Sequence, residues 1–235
     1  MRFVSLKSEV QLDLQALHGA RERLVLARTG LINQLRAVLL ERGITIPKGR
    51  AMLIRRLAEL GLERLEVSAR TRRLLEELLE ECTMLDRRIG TYDEEFGAMT
   101  PNDQQARRLS NIPGVGAINA TALLAAVGDA SAFARGRDLA AWLGLTPRQH
   151  STGGKTKMPG ISKRGNRYLR KQLIHGARAA MPHLAAKQTR IGVWLRPLLS
   201  RSHPNVVVVA LAAKLARIVR AVLRHERSFD QEALA

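Results

Sequence analysis

The sequence predicts an all-α protein in two parts: a coiled-coil helical hairpin over residues 1–100 and a compact basic helical domain over residues 101–235. Two long segments carry apolar residues at alternating spacings of three and four, the repeat that keeps one stripe facing a partner helix. Beyond them, apolar segments of helical length are separated by proline and glycine. Composition and charge change together at Gly97-Ala-Met-Thr-Pro101, which places the boundary there.

The first helix is expected from about Ser8 to Arg42, with Val10, Leu14, Leu17, Leu24, Leu31, Leu35 and Val38 on a stripe that Arg21 and Arg28 interrupt. Gly43-Ile-Thr-Ile-Pro-Lys-Gly49 stops it, and a short helix follows from about Arg50 to Leu60. A second long helix, Ser68 to Phe96, aligns Leu75, Leu78, Cys82, Leu85, Ile89, Tyr92 and Phe96 without a break. Two such stripes on a modest connector fold back as an antiparallel pair. Cys82 lies on the stripe and reads as a packed core residue. The run Asp93-Glu94-Glu95, beside Arg87 and Arg88, reads as solvated charge and not as a metal site.

Between Leu109 and Asp129 the residues Ile112-Pro-Gly-Val-Gly116 have the form of the turn in a helix–hairpin–helix. Pro113 fixes φ, while Gly114 and Gly116 permit a tight turn. The amides from Ala117 onward could then take a phosphate without regard to base sequence. The same residues also suit an ordinary turn between two core helices. A short helix, Asp138 to Leu145, carries Trp142 as a core ring. Further on, Ser162 is the expected N-cap of a helix through about Met181, with Lys163, Arg164, Arg167, Arg170, Lys171 and Arg178 on a cationic face. Pro182, Pro197 and Pro204 divide the remainder into helices of about 183–195 and 205–226. His175, His183 and His203 have neither a carboxylate partner nor ligand spacing in the sequence, and read as helix or loop histidines.

The net charge of +18 is carried almost wholly by the second part. Residues 1–100 hold 17 basic against 15 acidic side chains, and residues 101–235 hold 22 against 6. Between Leu139 and His225 there are 17 lysines and arginines and no acid. Such a stretch calls for a polyanion, and nucleic acid is the natural one. Aromatics at 3% argue against a fold that stacks single-stranded bases on exposed rings. The lone Cys82 excludes a disulfide framework and fits a reducing cytoplasm. No segment has the apolar length of a membrane helix, and Met1-Arg-Phe-Val-Ser-Leu-Lys7 lacks the apolar core of a signal peptide.

Pro147 to Asn166 is too rich in glycine and proline for a regular element and reads as a shaped loop. It places Ser151 between Arg148, Gln149 and His150 on one side and Gly153, Gly154 and Lys155 on the other. Paired glycines let a backbone approach a phosphate, and Arg148, Lys155, Lys157, Lys163 and Arg164 surround the hydroxyl with positive charge. A serine so placed could attack a phosphodiester. The plainer alternative is a loop that grips DNA backbone and does no chemistry.

The ordered set Asn111-Ile-Pro-Gly-Val-Gly116, Phe133, Trp142 through Lys155 and Ile161 through Arg170 resembles the one-ten family of bacterial insertion-sequence transposases, also called bridge-RNA-guided recombinases. Phe3-Val-Ser-Leu-Lys7, Asn33-Gln-Leu-Arg36 and Gly43-Ile44 are similar to that family's coiled-coil region. The resemblance implies a serine nucleophile in a Gln-x-Ser-Thr-Gly-Gly-Lys motif, here Ser151, that forms a covalent phosphoserine with DNA. Arg148, Gln149 and Lys155 would position the phosphate. Pro113, Gly114, Gly116, Gly153, Gly154, Lys157, Lys163, Arg164, Arg167 and Arg170 complete the expected DNA contacts.

The resemblance further implies an N-terminal RNase-H-like domain whose four acids bind magnesium. The chain is expected to begin where that domain ends, so no cofactor is expected within residues 1–235. The expected partners are double-stranded DNA, a guide RNA and a second copy of the chain through the coiled coil, at the bacterial nucleoid in the cytoplasm. The function expected is strand exchange by the C-terminal part of a transposase. A truncated remnant that only binds DNA, or pairs with intact transposase, is the alternative, and a repair module using the turn at 112–116 is a third.

Overall fold

The structure, a computed structural model, describes residues 6–230, so Phe3-Val-Ser of the sequence match lies outside the described residues. The described chain is helical apart from one small hairpin, which establishes the all-α class. It divides into two compact units, 16–95 and 96–230, the latter joined by 6–15. Gln11 shows why the start belongs there, since its Nε2 donates to Leu124 O at 3.2 Å.

The 16–95 unit is built on the helices α1 (Glu9–Leu40), α2 (Arg50–Leu60) and α3 (Ala69–Asn102). Leu24 and Leu35 of the expected α1 stripe and Leu75, Leu78, Cys82, Leu85 and Ile89 of α3 are buried, whereas on α1 Val10 is exposed and Leu39 is buried in place of half-buried Val38. The two arginines that interrupt the α1 stripe have a use. Arg21 pairs with Asp93, and Arg28 Nη1 donates to Asp86 at 2.6 Å. As residue numbers rise along α1 they fall along α3, so the helices run antiparallel. Arg50 from α2 joins the same Asp86. Burial pushes the Asp86 carboxyl up, but hydrogen bonds from Arg28 and Arg50 outweigh it and hold the group below its usual value. The Cys82 thiol is pushed up by burial and by Asp86 and Glu81, which suits an inert packed residue.

Sequence reading gave no sign that His18 is buried, at 3% exposure. Burial, and then the guanidinium of Arg21, lower its pKa to about 4. An unfolded histidine titrates near ~6.5, so the folded unit resists protonation. The associated stability is complete above pH ~6.5 and falls as pH drops from there toward about 4, by up to about 3 kcal/mol. Thermal melts from pH 7 to 4.5 are expected to show this loss in the parent chain, and His18→Leu to flatten it. An equally steep loss in the variant would assign the effect elsewhere.

The stretch Gly97–Pro101, expected to hold the domain boundary, is helical, because α3 runs on to Asn102, and the two units divide between Glu95 and Phe96. Phe96 and Thr100 are buried and hold that turn in place, and Pro101 sits so near the end that little of the helix is left to disrupt. In the 96–230 unit follow α4 (Gln104–Ser110), α5 (Ala117–Val127), α6 (Gly136–Trp142), α7 (Arg167–Ala186), α8 (Arg190–Arg201) and α9 (Pro204–His225). The α9 helix is the centre, packed by α4, α6, α7 and α8. Its Val207, Val208, Leu211, Leu215, Val219 and Val222 are buried, so it cannot serve as a surface helix.

Three expected boundaries shift. Asn166, and not Ser162, caps α7 by accepting from Leu169 N at 3.0 Å. Pro182 and Pro197 lie inside α7 and α8 without ending them. Both are exposed, and buried Leu184 two residues after Pro182 and Leu195 two residues before Pro197 keep each helix seated. The real break between α7 and α8 is at Thr189, whose hydroxyl caps Gly192 N. Among the described residues no helix is long and apolar enough to cross a membrane.

Candidate functional site

The serine segment is not an irregular loop. His150–Thr152 and Lys155–Lys157 form antiparallel strands β1 and β2, with Ser151 opposite Thr156. Gly153 and Gly154 connect them at φ 57° and 73°. Two successive positive φ values make the two-residue turn whose twist matches that of paired strands. A Cβ on either glycine would meet nothing within 4 Å, so conformation and not space selects glycine here.

Below the strands the hairpin is closed by a bridge between Pro147 and Ile161. Ser162 N donates to Thr146 O at 2.9 Å and Lys163 N to Gly144 O at 3.1 Å. Between bridge and ladder, Met158-Pro159-Gly160 faces Arg148-Gln149, one residue more on the β2 side. That makes a bulge, where Pro159 removes no ladder donor.

At the root the two chain segments cross in contact. Gly144 and Gly165 have φ 70° and 89°, and a Cβ on them would lie 2.0 Å from Arg164 O and 1.8 Å from Trp142 O. Arg170 of α7 ties the crossing, donating from Nη1 to Leu143 O at 2.9 Å and Arg164 O at 3.2 Å. The guanidinium expected from its charge to grip DNA is thus engaged by the root. Every residue from Pro147 to Gly160 is exposed, so the hairpin projects from its unit.

Strand alternation sorts the side chains. Directly opposed residues share a face, so Gln149, Ser151 and Thr156 point one way, and His150, Thr152, Lys155 and Lys157 point the other. Gln149 Nε2 donates to Ser151 Oγ at 3.1 Å. This fixes the oxygen and leaves its own proton to be given outward. An amide cannot take that proton, and His150 lies across the sheet. The hairpin therefore offers an oriented hydroxyl on one face, a cationic grip on the other, and no base.

The expected residues fall in two places. Arg148, Gln149, Ser151, Gly153, Gly154, Lys155 and Lys157 belong to the hairpin, Lys163 and Arg164 to its root, and Arg167 and Arg170 to the start of α7. Pro113, Gly114 and Gly116 form a separate turn between α4 and α5. Gly114 has a packing reason of its own: a Cβ there would lie 2.6 Å from Gly176 O of α7. Asn119 reinforces this approach, donating to Gly114 O at 3.0 Å. Gly116 is exposed with open space around it and stands at the N-cap of α5. Trp142 is not a core ring. It is 38% exposed and meets Phe133 edge-on at 5.6 Å.

Not all of the unopposed positive charge is available to a polyanion. Arg196 donates to Ala185 O and Lys187 O, and Arg220 to Phe133 O and Ala134 O. Among the described residues no group of three or more His, Cys, Asp or Glu could hold a metal ion. The donor set for the magnesium that the resemblance implies is therefore not found among them.

Residues 106–190 match the sequence profile described as Transposase IS116/IS110/IS902 family. The chain is similar to a probable family 20 transposase of Pseudomonas aeruginosa, 44% identical over 97% of this chain and 68% of that protein. It is also similar to the transposase for insertion sequence element IS1111A of Coxiella burnetii, at 42% over 97% of this chain and 63% of that protein. The transposase for insertion sequence element IS1328 of Yersinia enterocolitica is 41% identical, covering 98% and 69%. The chain thus spans roughly two thirds of the length of these relatives.

Proposed function

This chain belongs to the IS116/IS110/IS902 transposase family, and on that premise we propose that it acts on double-stranded DNA in transposition, with Ser151 as the nucleophile. The observation that supports this most is the projecting hairpin, which holds the Ser151 hydroxyl exposed and oriented by Gln149. In the step proposed, Oγ forms a bond to phosphorus and one bridging P–O bond of the DNA breaks. The serine proton passes to a base outside residues 147–161, and that group returns it to the departing oxygen, which leaves as a hydroxyl. Lys155 and Lys157, on the other face, grip neighbouring phosphates. A guide RNA and a second chain copy complete the assembly in this reading, together with a magnesium-binding domain that supplies activation.

The test is a denaturant-stable protein–DNA adduct. The chain is mixed with insertion-end duplex, guide RNA, magnesium and the metal-binding part of a relative. An adduct is expected with the parent and none with Ser151→Ala, while Thr152→Ala retains it. An adduct undiminished in Ser151→Ala sinks the assignment. DNA binding with no adduct from any variant would leave the binding-only reading.

A further inference from the structure

While Arg170, Arg196 and Arg220 are engaged by backbone carbonyls, another set of cations runs along one open line. Arg167 and Arg178 are exposed on α7 with half-buried Lys171 between them, at spacings of four and seven, and Arg178 Nη2 donates to Asn205 Oδ1 at 3.4 Å. That spacing keeps them on one face, and the row spans roughly 16 Å at ~1.5 Å per residue. The opposite face, with Leu169, Leu173 and Ala177, is buried. Exposed Lys163 and Arg164 of the hairpin root lead straight into the row.

Within the chain this arrangement costs energy. Cations in a first turn oppose the helix dipole, and the first turn of α7 holds no acid. Exposed positive charge along one line is complementary to a polyanion lying on it.

We propose that the α7 row tracks the phosphate backbone of the duplex DNA flanking the phosphate attacked by Ser151. This rests on the reading of the hairpin given above. Duplex is favoured over single strand because the row presents no open ring for base stacking. Tyr168, on the same helix, is half-buried with Lys171 Nζ 5.5 Å over its face. DNA is favoured over RNA because the row continues the chain from the hairpin that addresses DNA.

The experiment is equilibrium binding of the full chain to a mixed-sequence duplex at several salt concentrations. Arg167→Gln/Arg178→Gln is expected to lower the slope of log K against log salt by about 1.8 and to weaken binding roughly tenfold near ~100 mM salt. Arg167→Lys/Arg178→Lys should keep the slope, and both pairs should keep the parent's helical circular dichroism. An unchanged slope in the glutamine pair overturns the proposal, as does a loss seen with an RNA duplex and not with DNA. Repeating the series on Ser151→Ala separates the two readings. A failed nucleophile leaves the slope change intact, and a failed row leaves a Ser151-dependent adduct intact.

Discussion

Gly176→Ala is expected to destabilise the 96–230 unit by about 2–4 kcal/mol, roughly 5–15 °C in melting temperature for a unit of this size. Helix propensity alone points the other way, because alanine in a helix interior is better than glycine by about 1 kcal/mol. The approach of the turn at 111–116 decides the sign. A Cβ on Gly176 would lie 1.8 Å from Gly114 O and 2.9 Å from Asn119 Nδ2. Neither neighbour can step aside easily. Gly114 is held by the Asn119 side chain and sits at φ 85°. α7 is also packed on α9, and its Leu173 and Ala177 are buried. The substitution must separate α5 from α7 or bend the turn, and both expose apolar surface. Urea and thermal melts check this, with the 16–95 unit as an internal reference. A stabilised variant would show that the turn does not rest on α7.

The two helical stripes were legible because a spacing of three and four directly encodes a face. Leu24, Leu35, Leu75, Leu85 and Phe96 are all buried. Arg21 and Arg28 looked like faults because their partners Asp93 and Asp86 lie 72 and 58 residues away, beyond any local pattern. The hairpin is hidden in the sequence for a different reason. Glycine and proline content argued for a loop, but Gly153-Gly154 flanked by Thr152 and Lys155-Thr156 is also a two-residue hairpin signal. Positions within the site were half legible. Ser151 and Gln149 were singled out together and do meet. Lys155 was placed with them by nearness in sequence, whereas strand alternation puts it on the other face. Arg170 was counted as a free cation because sequence shows charge and not which carbonyls a guanidinium will reach.

Gly165→Ala is expected to disable the hairpin while sparing the helical core. The new Cβ would lie 1.8 Å from Trp142 O at a φ of 89°, so overlap and left-handed strain add, for a local cost of about 2–4 kcal/mol. The crossing at Gly144 then opens, and with it go the bonds from Ser162 N to Thr146 O and from Lys163 N to Gly144 O. Hydrogen exchange should speed up at those two amides and stay slow along α9, where Leu211 and Leu215 are fully buried. An exposed arm gets its direction only from its root. The proposed adduct with DNA should therefore fall by about 100-fold, while binding through α7 changes little. Gly153→Asn is the matching control, since asparagine tolerates a left-handed turn and the site is open, and it should stay within about 1 kcal/mol of the parent. Equal damage from both changes would mean that the turn, and not the root, aims Ser151.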